Sequence, residues 1–465
     1  MVYNKVYGVP LYGSSWLPLN LINSADDHDH DHDHGSPSKS QHDDDINDND
    51  PLTKPQHDHD DDPLIKSQHD NNDDPQTKSH HDHTNSRDDR DHDDVAVEES
   101  PPSIKPTRHV VLSGGGGEGR IGIPNALLIS QFDPNTKSLS DHPVAELGTG
   151  ADLPSRMAVH PKGEGVMCSM PKSCRWYEWE AIERDGVHGW SPKSSEKIFK
   201  QLEDVGRQLA LTFNEEGSVL ATGGEDGKLR VFKWPTMDSI LDESGAHASV
   251  KDLAFSPDGR FLASVGSSGP GRVWDIASSA PIASLKTKKD EQFVLCKFSQ
   301  SLDNNHQILY VTAMQGKGGS IVKWKAKSWK PKSWKRISSK LVTRDSITAF
   351  SVSADGKYLA VGTMEGDILV LNSSSMLVHS VIKKAHLGIL TSLMFSEDSR
   401  ALLSTSFDSS ARVTLIDDEK MVTIINDQKI KDAGWNFWII LFILFLAIAV
   451  YYVRLLEFLV LLEDM

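Results

Sequence analysis

The feature that most constrains this chain is a β unit that recurs, singly or in multiples, roughly every 45 to 50 residues. Four copies read GRQLALTFNEEGSVLATGGEDGKLRVFKW (206–234), SVKDLAFSPDGRFLASVGSSGPGRVWDI (249–276), SITAFSVSADGKYLAVGTMEGDILVLN (346–372) and ILTSLMFSEDSRALLSTSFDSSARVTLI (389–416). A fainter copy, SRMAVHPKGEGVMCSMPKSCRWYEW, covers 155–179. Each is an alternating strand, a polar turn such as Pro257-Asp258-Gly259 or Ala354-Asp355-Gly356, and a strand rich in small residues. A second turn (Glu225-Asp226-Gly227, Glu365-Gly366-Asp367) and a third strand complete it. Trp274-Asp275 is a literal Trp-Asp, and His247 and His386 stand ahead of their units as the His of a WD repeat does.

Roughly 310 residues, from His109 to Ile416, at some 45 each give an all-β, seven-bladed WD-repeat β-propeller, with a six-bladed ring or a pair of β-sandwiches as alternatives. The small residues Ala263, Ser264, Ala360 and Val361 are expected on the tight inner strands beside the axis. His247, His386 and the turn aspartates are expected to tie hairpins together by hydrogen bonds. A propeller is a binding platform and specifies no reaction.

Charge is segregated. Of 66 acidic and 49 basic side chains, 25 and 6 lie between Ser24 and Ser100, a local net of −19, together with 12 of the 20 histidines. The remaining 41 acids and 43 bases make a near-neutral body, which excludes a uniformly basic nucleic-acid binder. The segment opens DDHDHDHDH (26–34) and then repeats a twelve-residue unit from Pro51, Pro63 and Pro75. It has no aromatic residue, and its like charges repel, so it cannot offset the ~1–2 kcal/mol of backbone entropy per ordered residue. A disordered insert is expected. Its His/Asp alternation suits only loose binding of Zn²⁺ or Ni²⁺. Cys168, Cys174 and Cys296 are too few and wrongly spaced for a disulfide framework or a zinc knuckle, and read as buried or free thiols.

From Trp435 to Val453 the chain reads WNFWIILFILFLAIAVYYV, 19 residues without a charge. At ~1.5 Å per residue this spans about 28 Å, close to the ~30 Å hydrocarbon core, with Trp435 and Trp438 at one end and Tyr451 and Tyr452 at the other as interfacial anchors. The N-terminus has no apolar run of the signal-peptide kind. The expected organisation is an N-terminal propeller strand (1–23), the disordered insert (24–100), a cytosolic propeller (101–430), a single transmembrane helix (435–453) and a short luminal tail (454–465).

The candidate site is GGGGEGRIGIPN, Gly114 to Asn125, between the strand-like HVVLS and ALLISQF. Gly114, Gly116 and Gly119 satisfy G-x-G-x-x-G, but a strand follows and Pro124 blocks a helix, so the dinucleotide fingerprint does not apply. No Gly-Lys-Ser/Thr follows, so this is no phosphate-cradling P-loop. Consecutive glycines permit positive φ and inward carbonyls, which suits a hard monovalent cation held by neutral oxygens. Asn125 offers a side-chain oxygen, and Ile123 and Pro124 form an exposed apolar tip. The residues alone leave a flexible linker and a functional loop both open. They supply no Ser/His/Asp or Cys/His constellation, and no covalent enzyme is expected.

The glycine loop with its GIPN, the YGVPLYG element at 7–13, the degenerate propeller and the C-terminal apolar run together resemble the Sec-twelve family, and most nearly its plant members. That resemblance implies an endoplasmic-reticulum membrane protein, single-pass with a cytosolic N-terminal domain. It would catalyse guanine-nucleotide exchange on the Sar GTPase and so start COPII vesicle formation and transport to the Golgi. It implies a potassium ion in the loop, mapped onto Gly114, Gly115, Gly116, Gly117, Glu118, Gly119 and Asn125. Asn125, with Pro124 and Ile123, would form the exchange loop, and Gly122, Ile123, Pro124 and Pro154 would contact the GTPase. It places 7–18 as the first strand of the first blade and the insert as an expanded hairpin loop. A plant relative, the phosphate-transporter traffic facilitator, shares the architecture and is thought to lack exchange activity. The alternative is therefore an escort that promotes exit of phosphate or other transporters from the endoplasmic reticulum.

Overall fold

The computed structural model describes residues 4–18, 108–117, 122–184, 187–299, 306–327 and 330–416. The insert 24–100, the apolar run 435–453 and the tail 454–465 lie outside the described residues, as do Glu118 and Gly119 of the glycine loop.

Seven antiparallel sheets form the ring, and their strands follow chain order. A short strand, β1 (Lys5–Val6), comes first, and the first blade follows with β2 (Leu11–Trp16), β3 (Arg108–Gly114), β4 (Asn125–Asp133), the two-residue β5 (Ser138–Leu139) and β6 (Ala145–Gly150). The second holds β7 (Arg156–Val159), β8 (Gly165–Ser169), β9 (Cys174–Arg184) and β10 (Val187–Ser194). The third holds β11 (Gln208–Phe213), β12 (Val219–Gly224), β13 (Leu229–Lys233) and β14 (Ser239–Glu243). The fourth holds β15 (Val250–Phe255), β16 (Phe261–Gly266), β17 (Gly271–Asp275) and β18 (Ala280–Leu285). The fifth holds β19 (Glu291–Phe298), β20 (His306–Gln315), β21 (Gly318–Lys327) and β22 (Lys330–Thr343). The sixth holds β23 (Ile347–Val352), β24 (Tyr358–Thr363), β25 (Ile368–Asn372) and β26 (Val378–Ile382). The seventh holds β27 (Leu390–Phe395), β28 (Ala401–Ser406) and β29 (Ser410–Leu415), and takes β1 as its outer strand. Among the described residues the helical content is one 3₁₀ turn, Lys200–Leu202, and no helix is long and apolar enough to cross a membrane.

The all-β, seven-bladed reading therefore holds, with two adjustments. Ala263, Ser264, Ala360 and Val361 lie on β16 and β24, the second strands of their blades, and are fully buried. They are small because both faces of a second strand pack against neighbouring blades, not because they line the axis. The axis is lined by the first strand of every blade, around a cavity of about 510 Å³ edged by Ser14, Arg156, Thr212, Lys251, Thr348 and Ser392. Second, residues 5–6 belong to the seventh blade; the first blade begins at Leu11.

The ring closes where β1 pairs with β29, Lys5 opposite Ala411 and Val6 opposite Ser410. Val9 of the link and Leu11, Val110 and Leu112 of the first blade pack there with Leu403, Ala411 and Val413 of the seventh in one apolar cluster. Arg108 adds a bidentate fork to Asp398, Nη1–Oδ1 3.1 Å and Nη2–Oδ2 2.7 Å. Burial pushes the Asp398 carboxyl up, but the Arg108 fork, Ser396 and the Arg400 amide outweigh it and hold that carboxyl well below the usual range.

The structural histidines act as expected. His247 Nε2 lies 2.8 Å from Ser264 Oγ, which accepts from Trp274 Nε1 at 2.9 Å, so one loop is tied to two strands of the fourth blade. His386 reaches Ser410 Oγ at 2.6 Å and Ser404 Oγ at 2.8 Å. Burial is the main cause that lowers both imidazoles to about 4, so each is neutral at pH 7. The unfolded chain, with His near 6.5, takes up these protons first. Their contribution is thus complete above about pH 6.5 and is lost as pH falls toward about 4. Urea midpoints of the purified protein should fall steadily from pH 7 to pH 5, and His386→Gln should lower the midpoint at pH 7 while flattening that slope.

Candidate functional site

The glycine loop joins β3 to β4, whose ladder runs from Gly114 opposite Ala126 to Arg108 opposite Phe132. Strand β3 absorbs Gly114 and β4 begins at Asn125, so the connection is 115–124, two residues shorter than the motif suggests. The sheets are antiparallel meanders, so the β3–β4 connection emerges on the same face of the ring as every link from one blade to the next. Residues 7–10, the link from the seventh blade to the first, are its neighbours. Gly115 N–H donates to Pro10 O at 3.0 Å, and a Cβ on Gly114 would stand 2.6 Å from that oxygen. The glycine run thus rests directly on the Pro10 carbonyl and the side chains of Val9 and Leu11.

Asn125 organises the loop. It is 4% exposed, and each polar atom of its side chain is engaged. Oδ1 accepts from Gly117 N–H at 2.9 Å. Nδ2 faces three carbonyl oxygens, Gly117 O at 3.3 Å, Gly150 O at 3.0 Å and Ala151 O at 3.1 Å. One amide therefore ties the start of the loop to the end of β6 and to the turn into the second blade. Gly115, at φ +148°, passes so close that a Cβ there would lie 2.2 Å from Asn125 Oδ1, and Gly117 turns at φ +81°.

These contacts also bear on a cation. An amide nitrogen has two hydrogens, yet three carbonyls converge on it, each with two lone pairs. The excess is of neutral acceptors with no carboxylate among them, which is the donor chemistry that a large monovalent cation takes. The residues present fit potassium.

The other sequence-selected residues divide. Pro124 and Gly122 are exposed, and Gly122 turns at φ +72°. Ile123 is half-buried and packs on the closure cluster, so the apolar tip is Pro124 with one edge of Ile123. Pro154, expected to contact a partner, is buried and follows the turn that carries the Ala151 carbonyl. Asp152 in that turn pairs with Arg175 at 2.8 Å, and its carbonyl accepts from Thr149 Oγ1 at 2.7 Å. The Gly150, Ala151 and Pro10 carbonyls, which hold Asn125 and the loop, were not marked by the motif. Every residue carries a carbonyl, so no side chain marks them.

One Ser–His–Asp association does form. Ser410 Oγ donates to Asp408 Oδ1 at 2.5 Å and lies 2.6 Å from His386 Nδ1. His386 is fully buried and its ring is already shared with Ser404, so no substrate reaches it. The group is a structural tie between the β28–β29 turn and the loop before the seventh blade.

A family model described as "WD domain, G-beta repeat" matches residues 204–233 and 240–275. The chain is similar to SEC12-like protein 2 of Arabidopsis thaliana, 50% identical over 310 residues, covering 65% of this chain and 75% of that protein. SEC12-like protein 1 of the same plant is 33% identical over 328 residues, 70% of this chain and 77% of its own. The guanine nucleotide-exchange factor SEC12 of Rattus norvegicus is 23% identical over 371 residues, covering 66% and 85%.

Gly115→Ala should displace the Asn125 amide. The expected result is lost protection of the Gly117 N–H in hydrogen exchange, with a stability loss on the order of 1–3 kcal/mol. Unchanged exchange at Gly117 would refute the clamp.

Proposed function

The chain belongs to the SEC12 family, and from that premise we propose that it is a guanine-nucleotide exchange factor for a Sar-type small GTPase, held at the endoplasmic-reticulum membrane by the run 435–453 and starting COPII vesicle formation. The observation that carries this reading is the Asn125 clamp. A glycine loop free to wander would lose its own entropy on every encounter with a partner. Here one buried amide has already fixed its base, so Gly122, Ile123 and Pro124 are held ready at the surface. Exchange needs no bond to break. A rigid loop that fits the nucleotide-free GTPase better than the loaded one shifts the partner toward that state and raises the off-rate of GDP.

Potassium would be held by the carbonyls of Gly117, Gly150 and Ala151, and when bound it would supply positive charge where acceptors outnumber donors. Asn125 keeps those carbonyls convergent.

A second reading is an escort for membrane transporters without exchange activity. It is favoured by the names of the relatives: those at 50% and 33% identity are called SEC12-like, whereas the name of the rat protein, at 23%, states an exchange activity.

GDP release from a Sar-type GTPase, followed by tryptophan fluorescence in potassium buffer, separates the two. The protein should stimulate release, and Asn125→Ala should reduce that stimulation about tenfold or more, the equivalent of ~1.4 kcal/mol from one broken buried network. Sodium in place of potassium should slow release, and deletion of 24–100 should leave it nearly unchanged. Absence of stimulation by the wild type, with transporters co-purifying from membranes, would establish the escort.

A further inference from the structure

The glycine loop begins at a position that recurs around the ring. In five blades the residue after the second strand donates its backbone N–H to the residue before the first strand. Gly115 donates to Pro10, Glu225 to Arg207, Ser267 to Ser249 and Met364 to Ser346 at 3.0 Å, and Phe407 donates to Ile389 at 3.1 Å. One hydrogen bond thus sets these residues in one layer, on the face from which the glycine loop emerges. It asks nothing of their side chains. Blades three and four place Glu225 and Ser267 there, whereas blades six and seven place Met364, 48% exposed, and Phe407, 41% exposed.

The link into the seventh blade adds a third apolar side chain. Leu387 is 88% exposed, yet its backbone is fixed: its N–H and that of Gly388 both donate to Asp408 Oδ2, at 2.6 and 3.2 Å. The same place in the fourth blade, after His247, is held by Ala248, so the repeat does not need a leucine. Single exposed apolar side chains are ordinary on a protein surface. These stand on adjoining turns. His386 N–H donates to Gly366 O at 3.1 Å, which joins the Met364 turn to the Leu387 link, and Phe407 N–H joins that link to the next turn. Phe407 packs edge-on against Tyr12 of the first blade, with ring centroids 4.9 Å apart. Tyr7 N–H donates to Ser409 O at 2.9 Å, and three residues on, Pro10 carries Gly115. A chain of contacts therefore leads from Met364 through Leu387, Phe407 and Tyr12 to the glycine loop.

The loop by itself is a small contact. A specific complex buries about 800 Å² and roughly 20 to 30 residues on each side, and Gly122, Ile123 and Pro124 supply only the first few. A partner engaged there rests on more of the same face, and the apolar ground beside the loop lies over blades seven and six.

Resting on the exchange reading, we propose that Met364, Leu387 and Phe407 form the docking half of the site: an apolar platform, continuous with the glycine loop, for a hydrophobic surface of the same small GTPase. The loop acts at the nucleotide pocket while the platform holds the partner in place. The platform touches the partner whether or not the nucleotide has left, which is uniform binding. It lowers the concentration needed for half-maximal exchange and leaves the saturated rate to the loop.

The test is GDP release from a Sar-type GTPase, titrated with the full chain. The combined variant Met364→Ser, Leu387→Ser, Phe407→Ser should raise the half-maximal concentration about tenfold or more, with the saturated rate within about twofold of wild type. Leu387→Ser alone removes a side chain with little burial to lose, so it leaves the fold intact and should raise that concentration about threefold. Glu225→Ser, at the equivalent position of blade three, should change neither quantity. Asn125→Ala should instead lower the saturated rate. An unchanged half-maximal concentration in the combined variant, with Asn125→Ala still impaired, overturns the platform and leaves the exchange reading standing. So does a combined variant whose saturated rate falls while its half-maximal concentration holds. If the wild type stimulates no release, the exchange reading fails and binding decides the platform. The GTPase stripped of nucleotide with EDTA should then bind the wild type, and the combined variant about tenfold more weakly; equal or absent binding overturns the proposal.

Discussion

The structure depends on one closure. Seven blades make a ring only if the last is joined to the first, and here a two-residue strand, β1, makes that join by pairing with β29. The chain then crosses directly into the first blade through Tyr7 to Pro10, and the same few residues become the floor of the glycine loop. Gly115 bonds to Pro10, Gly114 has no room for a side chain above it, and Ile123 packs on the cluster that seals the two blades. The stiffness of the candidate site is therefore borrowed from the seam of the ring. Tyr7 shows how tight the seam is: its hydroxyl is 2.6 Å from Ser130 Oγ, and burial pushes its pKa up to about 12.

The chemistry of the site is that of an amide among carbonyls. Among the described residues, the nearby Asp152 is paired with Arg175, and the loop contributes shape and backbone dipoles. The Asp408–Ser410–His386 group shows why residue types alone mislead: it has the atoms of a hydrolytic triad, but its histidine is buried, neutral and shared with Ser404, and the group fastens a blade.

Much of the fold was legible because WD turns are built from side chains with fixed tasks. Asp258 and Asp355 each accept from a serine two residues earlier and a backbone amide two residues on, and the positive φ of Gly227 and Gly366 allows the following histidine's carbonyl to approach. The fifth blade was hard to read because its turns lack those residues; its hairpin is held by strand length and by Trp324 and Trp334 packing against the fourth blade. In the candidate site, Asn125 and the glycines were legible as a motif. The partners of Asn125 were not, since Gly150 and Ala151 act through backbone oxygens brought near by the pairing of β4 with β6. Pro154 was legible as a position, but its burial follows from packing that no local pattern encodes.

The closure has a consequence for the order in which the molecule is made. Val6 must find Ser410, and Leu11 must find Gly114, so the first strands to leave the ribosome wait longest for their partners. Blades two to six are assembled from neighbours in the chain and can condense as they emerge. The seam cannot form until the seventh blade has been synthesised, and the floor of the glycine loop is part of that seam. A truncated or stalled chain would own the whole GGGGEGRIGIPN motif and still lack its foundation, so competence at this site certifies that the ring is complete.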